Sequence, residues 1–364
     1  MPNRPRILIA CLDWGLGHAA RSLPIADRLQ ALGAQPVLAS AGAAGAFLQA
    51  ERPDLEYIPL PAYAIHYRHS SMVANIAVQA PKLARVAWQE HRMIQRYIDE
   101  QQLSGIISDN RFGVFSDKVP SVFLTHQLRP IMPYPWLQLL TNRLMQVFVQ
   151  RFQECWVPDL PDGNGLSGRL SHPPLAGMPT YYVGWLSRFT ERKAEADSRP
   201  TLDSLSILSG PEPQRTHLEE ALLAQLRQLP GQHKLVRGIP TAAPAHSVGS
   251  VQVHSYLKGA RLWEEICRAS VLIGRPGYSS LMDWGAAGKK ALCIPTPGQT
   301  EQEYLAQRLL ADGRIAVQQQ GSLQLGEGIR EARHSRGLSA PDSGSLLQQN
   351  LQRFLANLSV VSAG

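Results

Sequence analysis

The stretch from Ser270 to Tyr304, SVLIGRPGYSSLMDWGAAGKKALCIPTPGQTEQEY, constrains the fold more than any other part of the chain. A short apolar run, Val271 to Ile273, meets a Gly-Arg-Pro-Gly turn. The pattern then predicts a helix over Tyr278–Ala287, ended by Gly288. A second apolar run, Ala291 to Ile294, meets Pro295 and Pro297, and a polar cluster opens another helix. Strand, glycine turn, helix, strand is a βαβ unit, which sets the glycine turn and a helix start at the carboxyl end of a parallel strand. Unpaired backbone N–H groups and the helix dipole favour phosphate there. The same pattern also suits an ordinary βαβ unit with no ligand.

The chain has 364 residues, 44% of them hydrophobic, which points to two domains rather than one core. No apolar run approaches the roughly 18 residues of a membrane-spanning helix. The apolar run before Asp13 is only about six residues long, too short for a signal-peptide core, so it reads as the first strand of a cytoplasmic protein. Cys11, Cys155, Cys267 and Cys293 are scattered without a CxxC pair and read as buried thiols. The net charge of +7 comes from dispersed arginines, without a basic block interleaved with aromatics. Nucleic acid is therefore not the expected partner, whereas a nucleotide, a diphosphate or an anionic membrane surface fits.

The alternation of the central stretch recurs along the chain. Strands are expected over Arg6–Cys11, Val37–Ala39, Glu56–Leu60, Gly105–Ser108, Val119–Thr125 and Tyr181–Gly184. A helix is expected from Ala19 to Leu32, with Gly33 as its C-cap, and a long helical segment over Ser70–Gln102, broken near Pro81. The segment Trp136–Phe152 is apolar over much of its circumference and flanked by Arg129, Arg143 and Arg151. It suits either a core helix or one touching a membrane surface or partner. Trp185–Arg199 reads as a connection, after which Leu205–Leu208 restarts the alternation. A helix to Leu229, a strand over Lys234–Arg237, a loop over residues 238–250 and a helix over Leu262–Arg268 follow. Residues 318–343 are weakly patterned, and Leu346–Leu358 is a closing amphipathic helix. The expected architecture is α/β: Rossmann-like domains over residues 1–184 and 185–343 facing across a cleft, with residues 344–364 packing back towards the first.

In an open parallel sheet the strand carboxyl ends share one edge, so three turns of the first half can converge. They carry Gly15, Gly17 and His18; Asp109, Asn110 and Arg111; and His126 with Gln127. His18 and Asp109 then suit a base and the carboxylate that orients it. The plainer alternative is that His18 caps a helix and Asp109 satisfies backbone N–H groups. The first turn lacks the third glycine of the dinucleotide fingerprint, and no acidic residue ends the second strand. GxSxG and HExxH motifs and clustered Cys/His spacings are absent, so neither a hydrolase triad nor a metal site is expected. In the second half, Ser209, Gly210 and Arg215 form one anion-friendly turn, and Arg275, Gly277, Ser279 and Ser280 form another. Asp283 suits the hydroxyls of a ribose, and Gln302 and Glu303 suit a polyol. Together these pieces describe a nucleotide diphosphate sugar.

These residues resemble those of the GT-B glycosyltransferases, most of all the MurG-like group of glycosyltransferase family 28, with features of the UDP-glucuronosyltransferase-like group. Gly15-Leu16-Gly17-His18 followed by Pro24 is similar to the family's glycine-rich first loop. Thr125-His126-Gln127 resembles the segment with a His-Glu-Gln-Asn motif, whose acidic and asparagine members are missing here. Val183-Gly184 followed by Arg188 is similar to the interdomain segment whose arginine meets the diphosphate. Arg275-Pro276-Gly277, Asp283 and Gln302-Glu303 resemble the donor-site signature. The His18 and Asp109 pair is similar to the His-Asp dyad of the glucuronosyltransferase-like enzymes. The resemblance implies a GT-B fold and inverting, metal-independent transfer of a sugar from a UDP-sugar to an acceptor hydroxyl, without a cofactor. It implies Arg188 on the diphosphate, Asp283 on the ribose, and Gln302 and Glu303 on the sugar, with Gly15, Gly17, Asn110, His126 and Gln127 on the acceptor side. The acceptor class stays open, as does attachment to the inner face of a membrane. A UDP-sugar 2-epimerase and a non-catalytic sugar-nucleotide-binding protein are the alternatives that share this architecture.

Overall fold

A computed structural model describes residues 4–64, 72–192, 200–239, 243–341 and 344–361. Its contacts divide the chain into two compact units, with changeovers after Leu186 and after Ala340.

The first unit opens with β1 (Arg6–Cys11), α1 (Leu16–Ala31), β2 (Gln35–Ser40), α2 (Gly42–Glu51) and β3 (Glu56–Pro59). It continues with α3 (Met72–Glu100), β4 (Gly105–Asp109), β5 (Ser121–Leu124), α4 (Pro135–Val149), β6 (Glu154–Val157) and β7 (Thr180–Tyr182). The order across its sheet is β3-β2-β1-β4-β5-β6-β7, with every pairing parallel. β1 and β4 are apolar runs without alternation, as a sheet covered on both faces requires. The chain builds outward from β1 to β3 and then restarts on the other side of β1 with β4. The junction of β1 and β4 is therefore the topological switch point, where crossovers to opposite faces leave a crevice at the carboxyl edge.

The second unit repeats the plan with β8 (Leu202–Ile207), α5 (Gln214–Leu226), β9 (His233–Val236), β10 (His246–Val248), β11 (Val251–His254), α6 (Gly259–Arg268) and β12 (Ala269–Gly274). α7 (Tyr278–Ala286), β13 (Lys290–Cys293), α8 (Thr300–Ala311), β14 (Ala316–Val317) and α9 (Leu325–His334) complete it. The sheet order is β10-β11-β9-β8-β12-β13-β14, parallel except for the edge strand β10, and its switch point lies between β8 and β12. Gly274 is needed at that junction, because a Cβ there would sit 2.4 Å from the Ile207 carbonyl oxygen.

The last helix, α10 (Gly344–Val361), belongs to the first unit. Phe354 packs edge-on against Trp156 at 5.8 Å, and Arg353 pairs with Glu154 at 2.7 Å. Burying Phe354 contributes about 2–3 kcal/mol.

Several elements differ from the sequence expectation. α3 continues through Pro81 instead of breaking there. α2 and β6 were not anticipated, since GAAGAFLQAE has little apolar periodicity and ECWV is short. β10 lies in the expected loop over residues 238–250 and β11 follows directly after it; residues 240–242 of that loop lie outside the described residues, as do residues 193–199 of the expected connection. α9 lies in the weakly patterned stretch. α4 is not a core helix: Met145 and Val149 are buried, whereas Trp136 and Leu139 are each 65% exposed and Leu140, Leu144 and Val147 are exposed as well.

Candidate active site

β1 and β4 pair in register to their carboxyl ends, with Cys11 opposite Asp109. The Leu12 N–H donates to the Asp109 carbonyl at 3.0 Å, which holds the turn after β1 against the end of β4. Gly15 sits at the start of α1 with a φ of +81°, a left-handed conformation that suits glycine. The turn brings His18, in the first turn of α1, over the end of β4. His18 Nδ1 lies 3.0 Å from Asp109 Oδ1. No hydrogen bond of His18 Nε2 exists among the described residues, and the side chain is partly exposed.

The site contains a third member that the sequence reading missed. Arg21, one turn after His18 on α1, is 1% exposed. Its Nε donates to Asp109 Oδ2 at 2.6 Å and its Nη2 to Asp109 Oδ1. Nη2 also lies 2.8 Å from His18 Nδ1, and Nη1 lies 3.0 Å from Nδ1 of the buried His126. Burial alone raises the Asp109 carboxyl, but the charges and hydrogen bonds of Arg21 and His18 outweigh it and hold the group well below the ordinary range. Asp109 is therefore a fixed carboxylate. Asn110, with a φ of +56°, donates to Asp109 Oδ1 at 3.3 Å, and Gln127 reaches His126 at 3.2 Å. The three sequence-predicted turns of the first unit thus meet at its switch point.

Arg111 does not join them. It turns inward and donates to the Cys11 carbonyl at 2.7 Å and to Glu90, with Asp13 at 3.5 Å. Tyr63 closes this second buried network with its hydroxyl on Glu90 at 2.7 Å and its N–H on Asp13 at 3.0 Å. Burial pushes Glu90 up to about 7, against the downward pull of Arg111. The network braces the turn from which α1 starts.

In the second unit, the β8 turn presents exposed Ser209 and Gly210 at the switch point, and Gly277 precedes the first turn of α7 with Ser279 and Ser280 half-exposed. The charged residues expected there are placed differently. Arg275 is 1% exposed and donates to the carbonyls of Ile294 and Pro295, each at 2.9 Å, to the Gln214 carbonyl at 3.0 Å, and to Gln320 Oε1 at 2.5 Å. Its guanidinium therefore meets neutral oxygens, with no ion pair to a carboxylate among the described residues, and burial lowers its pKa to about 10. Arg215 is buried and shared between Glu212 and Glu219, so its charge is neutralised inside the fold. Asp283 accepts from Ser187 Oγ at 2.7 Å and from Arg188 Nε at 3.1 Å. Burial raises its carboxyl, with partial offset by Arg188, which it holds in place. Gln302 Oε1 accepts from the Thr296 N–H at 2.8 Å, and Glu303 Oε1 from the Gly298 N–H at 2.9 Å. Both brace the loop before α8, because the backbone N–H groups of that loop need acceptors. Among the described residues no three His, Cys, Asp or Glu side chains are grouped as a metal site, and no helix is long and apolar enough to cross a membrane.

No family model matches the chain, and no curated protein does. Solved structures do. A glycosyltransferase of kitacinnamycin matches with a TM-score of 0.62 at 14% identity, covering 98% of this chain and 96% of the other. LpCGTa in complex with UDP matches at 0.60 and 12% identity over the full length of both chains. MurG of Acinetobacter baumannii matches at 0.56 and 14% identity, covering 96% of this chain and 100% of the other. With paired seven-stranded Rossmann-like sheets and these neighbours, the chain has the fold of the GT-B glycosyltransferases.

Proposed function

We propose that the protein is an inverting glycosyltransferase that moves a sugar from a nucleoside diphosphate donor, UDP first among them, to an acceptor hydroxyl. The observation that carries this reading is the His18–Asp109 contact at the switch point of the first sheet. Asp109 accepts the Nδ1 proton of His18, leaving the Nε2 lone pair to take the proton of an acceptor hydroxyl. The freed oxygen attacks the anomeric carbon as the bond from that carbon to the diphosphate oxygen breaks, and the nucleotide leaves with the electron pair. Attack from the opposite face inverts the anomeric centre.

The nucleotide belongs, in this reading, to the second unit. The exposed Ser209-Gly210 turn and the start of α7 offer backbone N–H groups at its switch point. Arg275 adds a buried positive charge that carbonyl dipoles stabilise but do not cancel. It acts on a diphosphate through its field rather than by contact, and this takes over the charge compensation otherwise given by a metal ion. A neighbour that holds UDP supports uridine as the base.

The acceptor side has an apolar approach. The loop that leaves β5 carries His126 and Gln127 and leads into α4, whose exposed Trp136, Leu139, Leu140 and Leu144 lie beside exposed Arg143. An apolar face with basic residues beside it suits an anionic membrane surface, and we extend the proposal to peripheral attachment there.

The test is a panel of UDP- and TDP-sugars, each incubated with and without hydroxyl acceptors. Nucleoside diphosphate release that requires an acceptor supports the proposal. Conversion of UDP-GlcNAc without any acceptor makes the protein an epimerase instead, and tight UDP binding with no turnover across the panel makes it a binding protein.

A further inference from the structure

We propose that Arg21 is a positioning residue that fixes the tautomer of His126, the buried histidine beside the His18–Asp109 pair. The inference deepens the reading of this site as the acceptor side and rests on it, but its test does not depend on turnover.

A guanidinium carries five N–H donors and no acceptor. Arg21 Nη1 stands 3.0 Å from His126 Nδ1, so that ring nitrogen presents a lone pair and His126 carries its proton on Nε2. The Nε2–H then faces Gln127, whose side-chain nitrogen lies 3.2 Å away. Two donors do not face each other at that distance, so the Gln127 amide is turned to offer its oxygen to His126.

His18 stands between an acceptor and a donor. Its Nδ1 lies 3.0 Å from Asp109 Oδ1 and 2.8 Å from Arg21 Nη2. A lone pair on Nδ1 would face a carboxylate oxygen with no proton between them. A proton on Nδ1 would instead face the Arg21 Nη2 donor, so the two contacts ask for opposite tautomers, and the same carboxylate oxygen also accepts from Arg21. The N–H at Nδ1 and lone pair at Nε2 that a base needs are what the proposed function asks of His18, not what Arg21 sets. One fully buried arginine thus fixes one ring, His126, and pins from both oxygens the carboxylate that faces His18.

The test is a long-range ¹H–¹⁵N spectrum of protein labelled at its 11 histidines, with H18N and H126N assigning the two rings. The wild type is expected to show His126 protonated on Nε2. In Arg21→Met, which fills the space without a donor, His126 is expected to lose that preference. In R21M/D109N, which removes both buried charges together and so protects folding, His126 is expected to lose it as well. His126 protonated on Nδ1 in the wild type overturns the proposal, as does an unchanged His126 signature in R21M or, where R21M does not fold, in R21M/D109N. A protein that transfers no sugar but shows this pattern contradicts the enzyme reading alone. One that transfers sugar without this pattern contradicts only the role of Arg21.

Discussion

Arg21 and Arg275 are both almost fully buried, and both stand at the switch point of a parallel sheet. Their partners differ. Arg21 meets a carboxylate and two imidazoles, groups that bind and release protons. Arg275 meets three backbone carbonyls and an amide oxygen, none of which titrates or carries charge. The first setting neutralises its arginine and organises protons; the second leaves a positive charge standing at the end of a glycine turn. In the function proposed above, one plan of strands and crossovers carries proton chemistry in one unit and anion binding in the other, and the identity of the buried partners decides which.

The largest effect expected from breaking this division is at His18. H18A removes the base, and sugar transfer should fall by about 10²–10⁴-fold, read as initial rates of nucleoside diphosphate release. Transfer at wild-type rate by H18A would remove the first unit's assigned chemistry.

A smaller effect separates two buried carboxylates within the first unit. Asp109 has a depressed folded pKa, so its contribution is present above its ordinary value of 3.8 and is lost as the pH falls through the lower folded value. Glu90 is raised from 4.5 to about 7, so its contribution is fully present below 4.5 and is lost as the pH rises to about 7. Thermal melts across pH should show the gap between wild type and D109N closing on acidification. The wild type should lose ground to E90Q between about pH 4.5 and 7. Parallel trends for the two variants would show that the two networks do not differ in the way their partners imply.

Smaller again is the effect on attachment. W136S/L139S removes two exposed apolar side chains of α4, about 3 kcal/mol of buried area if the face docks. Sedimentation with phosphatidylglycerol vesicles should drop while transfer to a water-soluble acceptor stays unchanged. Equal sedimentation of the variant and the wild type would take α4 out of the account.

Much of the paired-sheet plan was legible, because apolar runs ending in glycine turns recur at βαβ spacing in both halves. His18 and Asp109 could be paired for the same reason: strand ends share an edge whatever the side chains do. Arg21 was hidden, since an arginine on a helix ordinarily reads as solvated; the available signal was its spacing of one turn from His18. Arg275 was found as part of a turn, but not its inward direction, which depends on the carbonyls that β13 and α5 place around it. The sequence points to the side chains at 283, 302 and 303 but not to their partners within the fold, because it does not show which backbone N–H groups and cations need an acceptor. α4 was ambiguous because an apolar circumference describes a core helix and a docking helix equally well.

The division between the two switch points is tested most directly by calorimetric titration of UDP into H18A and R275M side by side, with thermal melts confirming that both are folded. UDP should bind H18A as it binds the wild type and bind R275M at least about tenfold more weakly, the 1.4 kcal/mol that a lost buried charge readily accounts for. Wild-type binding by R275M, or binding lost in H18A and kept in R275M, would contradict it.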